Sequence, residues 1–282
     1  MLNVHDRSDP QAILCTDGES PGESTRSGAF YLPQGSEENI FLAAHEAMLP
    51  LMLKGPTGCG KTRFVEAMAE RLGLELVTVA CNEDTSAADL VGRYLIEGME
   101  TIWRDGPVAR AVRAGCLLYL DEIAEARSDV ITVLHSLADH RRQLFIDRTN
   151  ECVVAPRRFM LIASYNPGYQ QGIKELKPSL RQRFVSLDFT FSEPEDEATI
   201  IVRETGMDAA TAKKLVKVAN KVRRLGEAGM SAPVSTRLLV NAGKLIVHGV
   251  PLRTACESAI LTPLDDDPET LKGLREIVNL IL

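Results

Sequence analysis

Apolar positions along this chain follow two rhythms. Between about 31 and 191, short strand-like apolar runs trade places with stretches at helical spacing; beyond 192 only the helical spacing remains. Leu51, Met52 and Leu53 predict a short buried strand, reached through a helix over about 37–48, with order beginning near Tyr31-Leu32-Pro33. Phe64, Ala67, Met68 and Leu72 share one face of a helix over 63–72. Residues 74–81 alternate and are rich in β-branched side chains, so they predict a second strand. Ser86 and Asp89 have the spacing of a capping box for a short helix. Residues 94–103 predict a hairpin turning near Gly98, and Gly106-Pro107 opens a helix through Val108 to Arg113 with Pro107 at its first position.

Residues 116–122 are apolar almost without a break up to Asp121, the pattern of a strand buried on both faces of a parallel sheet. A helix over about 128–140 follows, then a hairpin from 142–147 and 151–154 that turns near Thr149 and Asn150. An apolar strand over 159–164 and a last strand over 185–189 complete this half. Five helices are predicted after it, over about 195–205, 209–226, 235–248, 253–261 and 269–280, with glycines and prolines at the breaks. The first 29 residues are rich in Ser, Asp, Glu, Gly and Pro, a composition that predicts a mobile tail. The expected organisation is therefore a tail (1–29), an α/β domain (30–191) whose parallel sheet is sandwiched by helices, and a smaller all-helical lid domain (192–282).

Composition narrows this only a little. A chain of 282 residues with 45% hydrophobic and 25% charged residues is an ordinary globular protein, large enough for a sizeable core. Its net charge of −7 argues against a general grip on nucleic acid. No apolar run approaches the roughly 20 residues of a membrane helix, and no charged-then-apolar leader opens the chain, so a cytoplasmic protein is expected. Cys15, Cys59, Cys81, Cys116, Cys152 and Cys256 are scattered and read as reduced thiols, mostly in the core. Cys59 is expected to be the exposed one, open to oxidation unless it is plain filler. His135 and His140 lie near each other without the spacing of a zinc site.

The chemistry concentrates after the first strand. Gly55-Pro56-Thr57-Gly58-Cys59-Gly60-Lys61-Thr62 fits G-x-x-x-x-G-K-[ST] at every fixed position, between a predicted strand and a predicted helix. Glycines let successive N–H groups curl around one anionic centre, and the helix N-terminus adds partial positive charge. Lys61 then reaches the β- and γ-phosphates of a nucleoside triphosphate, and the Thr62 hydroxyl ligates Mg²⁺. Asp121 and Glu122 stand at the carboxyl end of a buried strand, where parallel sheets place ligands. They suit a Mg²⁺ shell and a general base respectively, or else a solvated acidic turn. Asn166, before Pro167 and Gly168, suits the orientation of a hydrolytic water or ordinary turn chemistry. Arg181 and Arg183 flank a short helix before the last strand.

These phrases in this order resemble a MoxR-group AAA+ ATPase, and within it the CbbQ/NorQ subfamily, CbbQ-type members above all. The resemblance runs over 53–64, 89–95, 119–122, 164–170, 182–184 and 235–237, and covers the chain from about residue 30 to its end. It implies an AAA+ P-loop core and a ring, usually a hexamer, with ATP and Mg²⁺ held between neighbouring subunits by residues 55–62 and Arg63. It further implies Glu122 as catalytic base and Asn166 as first sensor. Arg183 matches the arginine finger, with Arg181 as a helper, and Arg237 matches a second sensor on the lid. The hairpins at 94–103 and 143–154 match inserts that line the ring's central face in relatives. CbbQ-type relatives act with a von Willebrand factor A domain partner to restore Rubisco blocked by sugar phosphates, which allows carboxysome association. NorQ-type relatives help insert iron into nitric oxide reductase. A nucleic-acid motor, a small-molecule kinase and a nucleotide-gated adaptor are the other readings, with Asp121-Glu122 and the acidic balance against them.

Overall fold

The computed structural model describes residues 30–167, 176–226 and 233–282. The chain enters through α1 (Glu37–Glu46), β1 (Leu51–Lys54), α2 (Lys61–Leu72) and β2 (Leu76–Ala80). Next come α3 (Ala87–Val91), a hairpin of β3 (Gly92–Glu97) and β4 (Glu100–Asp105), α4 (Pro107–Ala114) and β5 (Leu117–Asp121). Then follow α5 (Ser128–Leu137), a second hairpin of β6 (Gln143–Ile146) and β7 (Glu151–Val154), β8 (Met160–Tyr165), α6 (Pro178–Arg181) and β9 (Val185–Asp188). Five further helices close the chain: α7 (Pro194–Thr205), α8 (Ala209–Gly226), α9 (Thr236–Val247), α10 (Leu252–Cys256) and α11 (Pro268–Ile281).

Five strands form one all-parallel sheet in the order β2-β5-β8-β1-β9, and the two hairpins stand apart from it. Alternation explains why its central strands read as unbroken apolar runs. Met52, Leu118, Leu120, Leu161 and Ala163 face a core shared with α3, α4 and α5. Their neighbours Leu51, Leu53, Leu117, Tyr119, Met160 and Ile162 face the opposite core, with Phe41 of α1 and Phe64 and Met68 of α2. Each large side chain buried this way contributes about 1.5–3 kcal/mol, so both faces hold the sheet in register. That register sets Leu53 beside Ser164 and Leu120 beside Ala163, so the C-terminal ends of β1, β5 and β8 come out level. The helical part has a core of its own, running from Ala198 to Val278.

Local chemistry explains most boundaries. Ser86 and Asp89 close a reciprocal capping box on α3, and Pro107 sits at the start of α4. Two helices stop short of their sequence expectation. α1 ends at Glu46 because Met48 turns left-handed (φ 57°), and α5 ends at Leu137 ahead of a turn in which Asp139 accepts the Arg141 N–H. The helix expected over 253–261 is α10 followed by a π-helical turn, Glu257–Leu261. Among the described residues no helix is long and apolar enough to cross a membrane.

Candidate nucleotide site

A cleft of about 570 Å³ lies where β1 and β5 end, between the sheet and the lid. Thr57, Gly58, Cys59, Gly60, Lys61, Thr62 and Arg63 form its floor, Asp121 and Glu122 one side, and Arg237 the lid side. The loop from β1 to α2 has its shape because side chains are excluded at two glycines. At Gly55 (φ +151°) an added Cβ would lie 2.3 Å from the Phe189 carbonyl oxygen, and at Gly58 (φ +73°) it would lie 2.6 Å from Cβ of Ser235. The second approach seats the lid directly on the loop. No side chain caps the N-terminus of α2, so its first N–H groups are left for a ligand.

Lys61 is nearly buried, and its ammonium donates to the Gly55 and Pro56 carbonyls at 2.7 and 2.8 Å. Those bonds hold the charge over the loop. Arg63 lies in the cleft with its guanidinium engaged by Glu66 at 3.4 Å and Glu204 of α7 at 3.2 Å, so it ties α2 to the lid. Cys59 corrects the sequence expectation. It is 5% exposed in the core below the loop, and burial pushes its thiol up despite the nearby Lys61 charge. Among the described residues the exposed thiol is Cys152, on β7.

Asp121 is held by two hydroxyls on one oxygen. Tyr119 donates to Oδ1 at 2.7 Å, and Ser164 of β8 donates to the same atom. Burial drives the Tyr119 hydroxyl well above its ordinary range, so it stays protonated and can only donate to that carboxylate. Oδ2 has no protein donor among the described residues. Thr62 and Asp121 are hard oxygen donors, the kind Mg²⁺ takes one or two of beside triphosphate oxygens, so the residues present fit that ion. When bound, Mg²⁺ supplies charge neutralisation on the phosphates. Glu122 follows in the left-handed region (φ 54°, ψ 46°), exposed, with its N–H donating to Ser164 Oγ at 3.1 Å.

Asn166 stands at the rim, its Nδ2 donating to Thr57 Oγ1 at 3.3 Å while its buried Oδ1 has no partner among the described residues. Arg181 and Arg183 do not line the cleft. Arg181 is exposed at the end of α6, and Arg183 donates to the Ser179 carbonyl. The Gly168–Gln170 end of the Asn166 motif and the tail 1–29 lie outside the described residues.

Sequence reasoning missed the far end of the cleft. Phe30, Tyr31 and Leu32 from the start of the described chain meet Ile200 of α7 and Val240 and Asn241 of α9 there. This apolar end suits a nucleobase. Ile200 and Val240 fall within the helices expected over 195–205 and 235–248, and no local signal joins them to residues 30–32. The lid side has a buried anchor. Glu197, fully buried, accepts from Arg223 at 2.6 and 2.8 Å and from Thr236 Oγ1 at 2.7 Å. Arg223 also donates to the Val234 carbonyl at 2.7 Å and lies over the Phe191 ring at 4.1 Å. Val234 and Thr236 are thereby fixed on either side of Ser235, next to Arg237.

Comparison with known proteins agrees with this geometry. A family model described as "AAA domain (dynein-related subfamily)" matches residues 50–184, and one described as "CbbQ/NirQ/NorQ C-terminal" matches 197–281. Protein NorQ of Paracoccus denitrificans is 53% identical, over 93% of this chain and 97% of its own length. Protein CbbQ of Hydrogenophilus thermoluteolus is 52% identical (89% and 94%), and the denitrification regulatory protein NirQ of Stutzerimonas stutzeri 50% (90% and 92%). A RuvB mutant from Thermotoga maritima shares the fold at a TM-score of 0.52 and 18% identity, covering 86% of this chain and 69% of that one.

Proposed function

Because the chain belongs to the CbbQ/NorQ subfamily of MoxR-group AAA+ ATPases, and is itself an ATPase, we propose that it works as a ring motor remodelling a client enzyme. One observation carries this reading: Lys61, Thr62, Asp121 and Glu122 meet Arg237 of the lid in a single cleft. ATP with Mg²⁺ is the substrate. Residues 57–62 hold its phosphates, Thr62 and Asp121 take the ion, and Glu122 accepts the proton of the attacking water. Asn166 orients that water, and Arg237 reports the γ-phosphate to α9. Arg183, with Arg181 beside it, lies outside the cleft of its own chain, which supports its acting on the ATP of the neighbouring subunit.

The client docks on the hairpins. Ile96 (81% exposed), Met99 (fully exposed), Phe145 (56%) and Val154 (62%) give them an apolar surface that supports a protein partner. Rubisco, with a von Willebrand factor A domain protein, is the client this reading puts first. Activation of nitric oxide reductase is the second, supported by 53% identity to NorQ beside 52% to CbbQ.

The test uses the purified chain with saturating ATP and Mg²⁺. Ring-sized particles in sedimentation and released orthophosphate are expected. Arg183→Ala should keep ATP binding and lose assembly-dependent turnover. A chain that stays single and releases no orthophosphate overturns the motor. With the von Willebrand factor A partner added, recovery of sugar-phosphate-blocked Rubisco supports the first client. Recovery of iron-free nitric oxide reductase alone transfers the assignment to the second.

A further inference from the structure

Two carboxylates enter the cleft next to each other, and one hydroxyl touches the supports of both. Ser164 is fully buried in the last part of β8, between β5 and β1. Its Oγ donates to Asp121 Oδ1 and accepts the Glu122 N–H at 3.1 Å. A serine hydroxyl has one hydrogen and two lone pairs. An ionised carboxylate only accepts and an amide N–H only donates, so both bonds have a single polarity and the hydroxyl cannot turn.

Glu122 needs this support. Its backbone lies in the left-handed region (φ 54°), which a residue with a Cβ adopts only at a cost. The turn takes Glu122 out of the ladder that pairs β5 with β8, whose register runs to Leu120 and Ala163. Its N–H therefore finds a side chain instead of a strand carbonyl. Leaving that partly buried N–H without an acceptor would remove the bond that offsets the strained turn. Asp121 is different, because Tyr119 holds Oδ1 from the other side at 2.7 Å.

We propose that Ser164 is the positioning residue for the general base: through the Glu122 N–H it fixes the left-handed turn that aims the Glu122 carboxylate, and through Asp121 it couples that aim to the Mg²⁺ ligand. This rests on the reading of Glu122 as base. Ser164 touches no substrate and acts only through its two neighbours.

Ser164→Ala should lower kcat about tenfold or more while KM for ATP stays within threefold, the signature of an interaction needed in the transition state and not for binding. Its Mg²⁺ half-saturation for ATP binding, read by nucleotide fluorescence without turnover, should rise several-fold. Ser164→Thr keeps the hydroxyl and should recover most of kcat. On a Glu122→Gln background, Ser164→Ala should add no further loss of turnover, because the base it aims is already gone. Wild-type kcat in Ser164→Ala, or a full additional loss on the Glu122→Gln background, overturns the inference. Full turnover by Glu122→Gln alone overturns the base assignment instead, so the two failures are told apart.

Discussion

The two walls of the cleft are built by different means. On the α/β side, the candidate groups stand at level strand ends: the loop after β1, Asp121 at the end of β5 and Asn166 after β8. Their backbone positions follow from a sheet packed on both faces, and Tyr119 and Ser164 hold the Asp121 side chain in addition. On the helical side, Arg237 is a long exposed side chain on α9, and its seat depends on one ion pair, Arg223 with Glu197, at the start of that helix. Strand ends placed by a packed sheet tolerate most side-chain changes. A lid aimed by one buried pair does not.

The largest expected effect tests the α/β side. Glu122→Gln should bind ATP normally and lose about 10²–10⁴ in turnover, measured by orthophosphate release against fluorescent-ATP titration. Binding lost together with turnover would mean that the strand-end geometry depends on this side chain. Next comes Arg223→Met, which leaves Glu197 buried without its partner and should cost about 3–5 kcal/mol. Hydrogen exchange locates that cost: amides of α7 to α9 should lose protection while those of β1, β5 and β8 keep theirs. Equal losses in both would join the two halves into one cooperative unit. The smallest effect is a thiol-labelling order in the unaltered protein at pH 8. Cys152 should react at once, and Cys256, in the lid core, before Cys81, next to the sheet. Burial pushes these two thiols up to about 11 and about 12, so at pH 8 each is protonated in the closed state and reacts mainly through opening. Cys81 reacting first would reverse the comparison.

The sequence shows the backbone-made wall more clearly than the side-chain-made one, for a physical reason. Phosphate-loop glycines, strand-end carboxylates, the Ser86 capping box and Pro107 act within a few residues of where they stand, so spacing reveals them. Arg223 and Glu197 are 26 residues apart and look like two surface charges on amphipathic helices until α7 and α8 pack. Ser164 and Tyr119 look like strand filler for the same reason, since only the register of β5 against β8 brings them to Asp121. Cys59 is buried although it stands in a loop, because the loop wraps its side chain inward onto the core. Arg181 and Arg183 lie outside the cleft of their own chain, so the role proposed for them has no local trace in the fold.

The Tyr94 hydroxyl of the first hairpin donates to the Arg148 carbonyl in the turn of the second, at 3.1 Å. The two inserts are therefore tied to each other at that turn. Five residues separate Val154, the last of β7, from Met160, the first of β8, whose far end holds Ser164 and, just past it, Asn166. From the tied hairpins the chain thus runs by a short connection into the strand that carries the hydroxyl beside the two acids.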